Sequence, residues 1–274
     1  MRTIIISVLT GMLLLLTSCS LNDLTGENKQ SNNNHQANEQ TTENDQSNSP
    51  ENADENDGTI KLDKKYFNIV AEQDGKEVIQ NVDNLLILVN KQSAYLPANY
   101  VPANLVRPNV RFSFGNKDKE KSYLKEEAAR ALEKMFQQAE AEGISLYAVS
   151  GYRSYTRQTE VFQLEVETKG EEKAMEAVAI PGQSEHQTGL AMDISAESAN
   201  LDLVESFENT PEGTWLRENA HKFGFILRYP KGKEAITGYQ YEPWHFRYVG
   251  EETAKIIYEN DWTLEEFFQN AKAV

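Results

Sequence analysis

The chain has 274 residues, a formal net charge of −16 and a single cysteine, Cys19. Such acidity argues against a nucleic acid as partner, because two negatively charged surfaces repel each other. One cysteine excludes an internal disulfide and a thiol–disulfide mechanism, so the folded part must depend on its hydrophobic core.

Residues 1–18 have the composition of a targeting segment, in which Arg2 precedes an apolar run at 4–16 and small residues follow. The end of this segment, Leu16-Thr17-Ser18-Cys19, resembles the lipobox of bacterial lipoproteins. The resemblance implies cleavage before Cys19 and a diacylglycerol on its sulfur. A plain secretory signal and a short transmembrane anchor are the alternatives, although the apolar run is short for a bilayer span.

Residues 19–58 are rich in Asn, Gln, Glu, Ser and Thr, and large apolar residues are almost absent after Leu24. Nine acidic residues and one lysine carry eight of the sixteen net negative charges. A segment of this composition cannot bury enough apolar surface to order itself. We therefore expect a disordered acidic tether that joins an anchor to one folded domain at 59–274.

Apolar residues at helical spacing predict six helices in this domain, at 125–142, 155–168, 171–178, 214–223, 251–258 and 264–271. Five apolar residues of the first helix share one face, and Gly143 ends it: Ala128, Leu132, Met135, Phe136 and Ala139.

Short strands are predicted at 144–149, 190–194, 225–228 and 241–248. Residues 66–70 and 78–79 form either a small ribbon or an irregular entry to the domain. Three prolines at 94–108 indicate an extended segment over the surface. Helices that precede and follow a few short strands favour an α+β fold, with a small antiparallel sheet and helices packed around it.

Asp193 lies on the predicted strand at 190–194, where Leu190, Met192 and Ile194 alternate with it. A carboxylate on such a strand is costly unless it is paired or bound to a cation. His186 lies just upstream in a polar loop that ends at Gly189. Together the imidazole and the carboxylate indicate two of the three ligands of a catalytic zinc ion.

His245 is the natural third ligand, and Glu242 three residues before it can act as general base toward water. Residues three apart face opposite sides of a regular strand, so this role requires a bend or bulge between them. A histidine beside a tryptophan in a strand is otherwise often a core residue. His221 lies near a predicted helix C-terminus, where the helix dipole favours it, and a structural role is expected there.

Three stretches resemble motifs of the VanY-like D-alanyl-D-alanine carboxypeptidases: Ser184-Glu185-His186-Gln187-Thr188-Gly189-Leu190-Ala191-Met192-Asp193, Glu242-Pro243-Trp244-His245, and Gly151-Tyr152-Arg153-Ser154 with Gln158. The resemblance implies zinc on His186, Asp193 and His245, with Glu242 as base. It also points to Arg153, Gln158 and Ser184 as substrate contacts. A guanidinium such as that of Arg153 suits a terminal carboxylate or an oxyanion.

The resemblance implies a zinc carboxypeptidase that removes the C-terminal D-alanine of peptidoglycan stem peptides. Together with the lipobox-like segment, this leads us to expect a monomer that is anchored by lipid outside the bacterial membrane and faces the wall. The bond cut can be D-alanyl-D-alanine or of the L,D type. One alternative is an endopeptidase of peptidoglycan cross-links. Another is a non-catalytic wall-binding lipoprotein with a structural metal, which would require a fourth ligand such as His221 or Glu242.

Overall fold

The computed structural model of this protein describes residues 59–274. The predicted targeting segment, Cys19 and the predicted tether lie outside these residues and stay predictions. Within the part that is described, no helix is both long enough and apolar enough to cross a lipid bilayer.

Short strands and mostly short helices follow one another irregularly along the described chain. The strands are β1 (Ile60–Leu62), β2 (Val70–Gln73), β3 (Lys76–Ile79), β4 (Leu105–Val106), β5 (Leu124–Lys125), β6 (Tyr147–Ser150), β7 (Ala191–Ser195), β8 (Phe225–Leu227), β9 (His245–Tyr248) and β10 (Ala271–Ala273). The helices are α1 (Glu126–Ala141), α2 (Tyr155–Lys169), α3 (Glu171–Ala177), α4 (Pro211–Asn219), α5 (Glu234–Thr237), α6 (Glu251–Glu259) and α7 (Leu264–Gln269).

Four strands form an antiparallel sheet in the order β6-β7-β9-β8. Strand β7 pairs on both sides, and all five of its residues are buried. Because side chains alternate between the two faces of a strand, Met192 and Ile194 enter the main core while Asp193 lies on the opposite face. This small sheet with helices around it confirms the predicted α+β class.

Helix α1 packs its apolar face into the main core. The five residues predicted to share that face are all buried: Ala128, Leu132, Met135, Phe136 and Ala139. Full burial of a side chain such as Leu132 stabilises the fold by roughly 2 kcal/mol. Glu126 and Glu127 occupy the first turn, where carboxylates interact favourably with the helix dipole.

Two predicted helices end differently in the structure. The segment predicted as one helix at 214–223 is α4, which begins earlier at Pro211, followed by a separate turn of 3-10 helix at Ala220–Phe223. Helix α7 ends at Gln269, and strand β10 follows it. This strand pairs in parallel with β1, which begins the described sequence. Pairing between segments so distant in sequence leaves no local pattern to detect.

The proline-rich segment 94–108 is largely irregular, and it was predicted to lie over the surface. Leu96 and Tyr100 in it are nevertheless buried. The side-chain amide of Gln187 donates to the carbonyl oxygens of Pro97 (3.0 Å) and Tyr100 (3.3 Å). One side of this segment therefore supports the turn that carries His186.

Candidate active site

The stretch from Ser184 to Asp193 folds as a tight turn followed by strand β7. Residues Glu185–Thr188 form one turn of 3-10 helix, and Gly189 ends it with a φ of 67°, which L side chains rarely adopt. A Cβ at Gly189 would also lie 3.0 Å from Cδ2 of Leu105. The turn brings Nε2 of His186 to 3.4 Å from Oδ2 of Asp193.

Strand β9 places His245 directly opposite Asp193 across the sheet. Nδ1 of His245 lies 3.0 Å from Oδ1 of Asp193. A ring nitrogen of His186, a carboxylate oxygen of Asp193 and a ring nitrogen of His245 all lie within 4.8 Å of one another. All three residues are buried. The structure thus brings together the three residues that the sequence pointed to as ligands.

Each histidine has one ring nitrogen engaged away from this cluster. Nδ1 of His186 lies 2.8 Å from the carbonyl oxygen of Gly151, to which it must donate a proton. Nε2 of His245 lies 3.4 Å from Oε2 of Glu185. Nε2 of His186 and Nδ1 of His245 therefore face Asp193, and they are the ring nitrogens that the neutral imidazoles would offer to an ion there.

The donor set fits a divalent zinc ion. Two imidazole nitrogens and one carboxylate oxygen match the three protein ligands of catalytic zinc sites. Burial raises the pKa of Asp193, but His186 and His245 outweigh it and hold that pKa well below its ordinary value, so the carboxylate is ionised. Burial lowers the pKa of His245, but hydrogen bonds to Asp193 and Glu185 raise it to about 9, so these two carboxylates favour a positive charge at this position.

Glu242 precedes strand β9 and does not belong to it, so the strand predicted at 241–248 is wrong in its first half. Pro243 has no N–H to donate to a sheet ladder. The backbone instead turns, and the N–H of His245 donates to the carbonyl of Glu242 (3.1 Å). This turn supplies the bend that the sequence required, and Oε2 of Glu242 lies 3.7 Å from Nδ1 of His245.

The carboxyl group of Glu242 faces a cavity beside the three clustered residues, and its side chain keeps 20% exposure. Burial raises the pKa of Glu242 to about 7. A carboxylate with a raised pKa is a stronger base than one in water, and proton transfer is most effective when that pKa lies near the working pH.

Arg153 lies in the loop after strand β6, and its backbone N–H donates to the carbonyl of His186 (3.2 Å). Its guanidinium donates to Oε1 of Gln158 (2.9 Å) and to Oγ of Ser150 (3.2 Å). Burial lowers its pKa. Among the side chains that the structure describes, no carboxylate forms an ion pair with Arg153. Its half-buried guanidinium lines the cavity beside Glu242 and is available to an anionic ligand.

Gln158 and Ser184 occupy different positions around the site. The side-chain amide of Gln158 donates to the carbonyl of Ala179 (2.7 Å) while its oxygen accepts from Arg153, so Gln158 orients the guanidinium. Ser184 is buried and lines the cavity.

The cavity has a volume of about 230 Å³. Apolar side chains including Val161, Leu203 and Trp244 form part of its wall. Its polar lining is Arg153, Ser184, Glu185, His186, Asp193, Tyr229, Tyr239, Glu242 and His245. A larger cavity of about 500 Å³ includes His221, whose ring stacks on Tyr258 with centroids 3.6 Å apart. His221 is not part of the metal-binding cluster found among the described residues.

The sequence reading missed a network of buried charges beneath the site: Glu185, Arg228, Arg247 and Glu265. A signal for them exists, because Arg228 follows the apolar strand β8 and Arg247 lies between Phe246 and Tyr248 in β9. A charge in a short apolar strand requires a partner in the folded protein.

Comparison with known proteins agrees with this geometry. The family model described as VanY, D-alanyl-D-alanine carboxypeptidase, matches residues 121–251. The protein YodJ of Bacillus subtilis (strain 168) is 57% identical over 213 residues, which cover 78% of this chain and 77% of that protein.

Two solved structures show the same fold. The structure of the LD-carboxypeptidase LdcB, described in connection with peptidoglycan recognition, is 56% identical with a TM-score of 0.76, and the match covers 78% of this chain and all of that one. A zinc complex of a mutant vancomycin-resistance D,D-pentapeptidase VanY is 37% identical with a TM-score of 0.54, covering 67% of this chain and 98% of that one. The chain belongs to the VanY family of D-alanyl-D-alanine carboxypeptidases.

Proposed function

We propose that this protein is a zinc-dependent carboxypeptidase that removes the C-terminal D-alanine from peptidoglycan stem peptides. One observation supports the proposal: Arg153, Glu242 and the ligand set of His186, Asp193 and His245 line one cavity. Arg153 is a half-buried cation that pairs with no carboxylate among the described side chains, and the carboxyl group of Glu242 has a raised pKa. An exopeptidase needs these three functions together, namely recognition of a terminal carboxylate, activation of water and stabilisation of the developing charge.

His186, Asp193 and His245 would hold the ion. When bound there, Zn²⁺ supplies a Lewis acid that polarises the scissile carbonyl and makes water a stronger nucleophile. Glu242 removes a proton from the attacking water as its oxygen bonds to the carbonyl carbon. The same carboxyl group then donates that proton to the amide nitrogen as the carbon–nitrogen bond breaks, so that D-alanine leaves as an amine.

Arg153 binds the terminal carboxylate of the substrate through its planar fork of N–H donors. Gln158 and Ser150 hold the guanidinium in place. Ser184 lies at the wall of the cavity and contacts the substrate backbone. The small cavity, of about 230 Å³, suits one terminal residue better than the two flanking strands of a cross-link, which favours an exopeptidase over an endopeptidase.

Within this reaction class we favour the L,D-type bond of tetrapeptide stems over the D-alanyl-D-alanine bond of pentapeptides. Similarity supports this choice: the chain is 56% identical to the LD-carboxypeptidase LdcB and 37% identical to the D,D-pentapeptidase VanY. Purified protein loaded with zinc is incubated with tetrapeptide and pentapeptide stems, and the products are weighed by mass spectrometry. Loss of one alanine mass from the tetrapeptide is expected, and a preference for the pentapeptide would reverse the choice.

We also propose that the protein acts as a monomer, anchored by lipid on Cys19 to the outer face of the bacterial membrane, with residues 19–58 as a flexible tether into the wall. The lipobox-like sequence before Cys19 and the acidic, polar composition of the tether support this placement. Substitution Cys19→Ala should release the protein from the membrane fraction and abolish labelling by a fatty acid. Retention of Cys19→Ala in washed membranes would favour a transmembrane anchor.

A further inference from the structure

Glu185 lies directly beneath the proposed metal site, and its side chain has no solvent exposure. Its Oε1 accepts from Nε of Arg228 (2.7 Å) and from Nη1 of Arg247 (2.8 Å). Its Oε2 remains free of both arginines and lies 3.4 Å from Nε2 of His245. One carboxylate thus joins two buried guanidiniums to a residue of the ligand set.

Both arginines are themselves held firmly. Arg228 donates to both oxygens of Glu265, at 2.9 and 2.6 Å. Arg247 donates through Nη2 to the carbonyl oxygens of Leu85 (2.9 Å) and Ile87 (3.0 Å). Bidentate and charge-assisted contacts of this kind are directional, so they limit the rotation of Glu185.

The network is balanced in charge. Two carboxylates, Glu185 and Glu265, face two guanidiniums, Arg228 and Arg247, and the side chains are at most 9% exposed. Glu185 forms ion pairs with both Arg228 and Arg247, which are the contacts of an ionised carboxylate. An ionised carboxylate with a fixed orientation is a strong acceptor for one imidazole N–H.

We propose that Glu185 is a positioning residue of the metal site, which accepts the Nε2 proton of His245 and so keeps the lone pair of Nδ1 directed toward the ion. This inference rests on the proposed zinc site. Histidine ligands of metals generally donate their other ring N–H to a carboxylate or carbonyl, and losing that partner lowers metal affinity. Here the acceptor for His186 is the carbonyl of Gly151, and the acceptor for His245 is Glu185.

Glu265 supplies a matched control for Glu185. Both carboxylates are buried and pair with Arg228, so replacing either by glutamine removes one negative charge from the same network. Of the two, only Glu185 reaches His245, because the carboxylate of Glu265 accepts from Arg228 and Asn90 instead. Comparing Glu185→Gln with Glu265→Gln therefore separates an effect on the metal ligand His245 from an effect on the stability of the fold.

The experiment measures zinc affinity of the purified wild-type protein and the two variants by competition with a coloured chelator, together with the thermal unfolding temperature of each. Both variants should unfold at lower temperature. Glu185→Gln should weaken zinc binding ~10- to 100-fold, whereas Glu265→Gln should change it less than about threefold. Excess zinc should restore much of the activity of Glu185→Gln, because the base and the substrate contacts remain.

Equal zinc affinities for the two variants, or an unchanged affinity in Glu185→Gln, would overturn the positioning role while leaving the proposed function intact. A wild-type protein that binds no zinc would overturn both. Should Glu185→Gln fail to fold, nitrogen-15 NMR of the wild-type zinc complex decides the question. A proton on Nε2 of His245 with the metal on Nδ1 is expected, and metal on Nε2 contradicts the inference.

Discussion

Asp193 and His245 face each other across strands β7 and β9, with Oδ1 and Nδ1 3.0 Å apart. The register of one antiparallel pair therefore places two residues of the ligand set, which lie 52 positions apart in the chain. A register slip by one residue would turn His245 to the opposite face of the sheet. The alternation of apolar residues in both strands opposes such a slip and so keeps Asp193 and His245 on the same face.

Removing the carboxylate of Glu242 should stop catalysis and spare the metal. Glu242→Gln keeps the size of the side chain but cannot take a proton from water, so we expect kcat to fall by ~10³-fold with about one zinc still bound. Timed assays of D-alanine release measure kcat, and elemental analysis measures the bound zinc. Glu252→Gln, which changes an exposed glutamate on α6, is the control. Wild-type turnover in Glu242→Gln would exclude Glu242 as the base.

Arg153 should recognise the substrate through its terminal carboxylate. In Arg153→Lys the charge remains but the planar fork is lost, so we expect kcat/KM for a free-acid peptide to fall by about 100-fold. The same peptide with a C-terminal amide lacks the charged partner and should be a poor substrate for both enzymes. If the variant discriminates between acid and amide as strongly as the wild type does, the carboxylate is bound elsewhere.

Metal removal tests the ligand set. Dialysis against a chelator should abolish activity, and zinc should restore it and raise the unfolding temperature, because a ligand that binds only the folded state stabilises it. Asp193→Asn removes the carboxylate between the two histidines and should lower zinc affinity by at least ~100-fold. Calorimetry with and without zinc should then show no shift in unfolding temperature at micromolar zinc.

The charge network should make the domain sensitive to acid. Burial raises the pKa of Glu265, but Arg228 outweighs it, so the pKa in the folded protein lies below its ordinary value of 4.5. A lowered pKa contributes stability above about pH 4.5, and this contribution is lost as the pH falls through the folded value. Glu265→Gln should lower the free energy of unfolding by about 3 kcal/mol at pH 7.

Denaturant unfolding between pH 5 and pH 3 measures this dependence. The wild-type free energy of unfolding should fall more steeply than that of Glu265→Gln, by up to about 1.4 kcal/mol per pH unit for the one proton involved. Parallel pH profiles for the two proteins would show that Glu265 does not titrate with unfolding.

Local sequence patterns were enough to predict much of the fold. The apolar face of α1 from Ala128 to Ala139 and the alternation that buries Met192 and Ile194 depend on neighbours in the chain, and both were predicted. The residues of the candidate site were also recognisable from the sequence. Burying a histidine and an aspartate among apolar residues costs free energy unless they are paired or bind an ion. Their catalytic and ligand roles stay predictions that the experiments above test.

What the sequence determined by itself was therefore the class of fold, the family and the chemical types present at the site. Only the tertiary structure decided that Glu242 leaves the strand before His245, that β1 pairs with β10, and that Glu185 links His245 to Arg228 and Arg247. The reason is physical: propensity and periodicity act over a few residues, whereas a buried charge finds its partner through contacts between segments 43 to 62 positions apart.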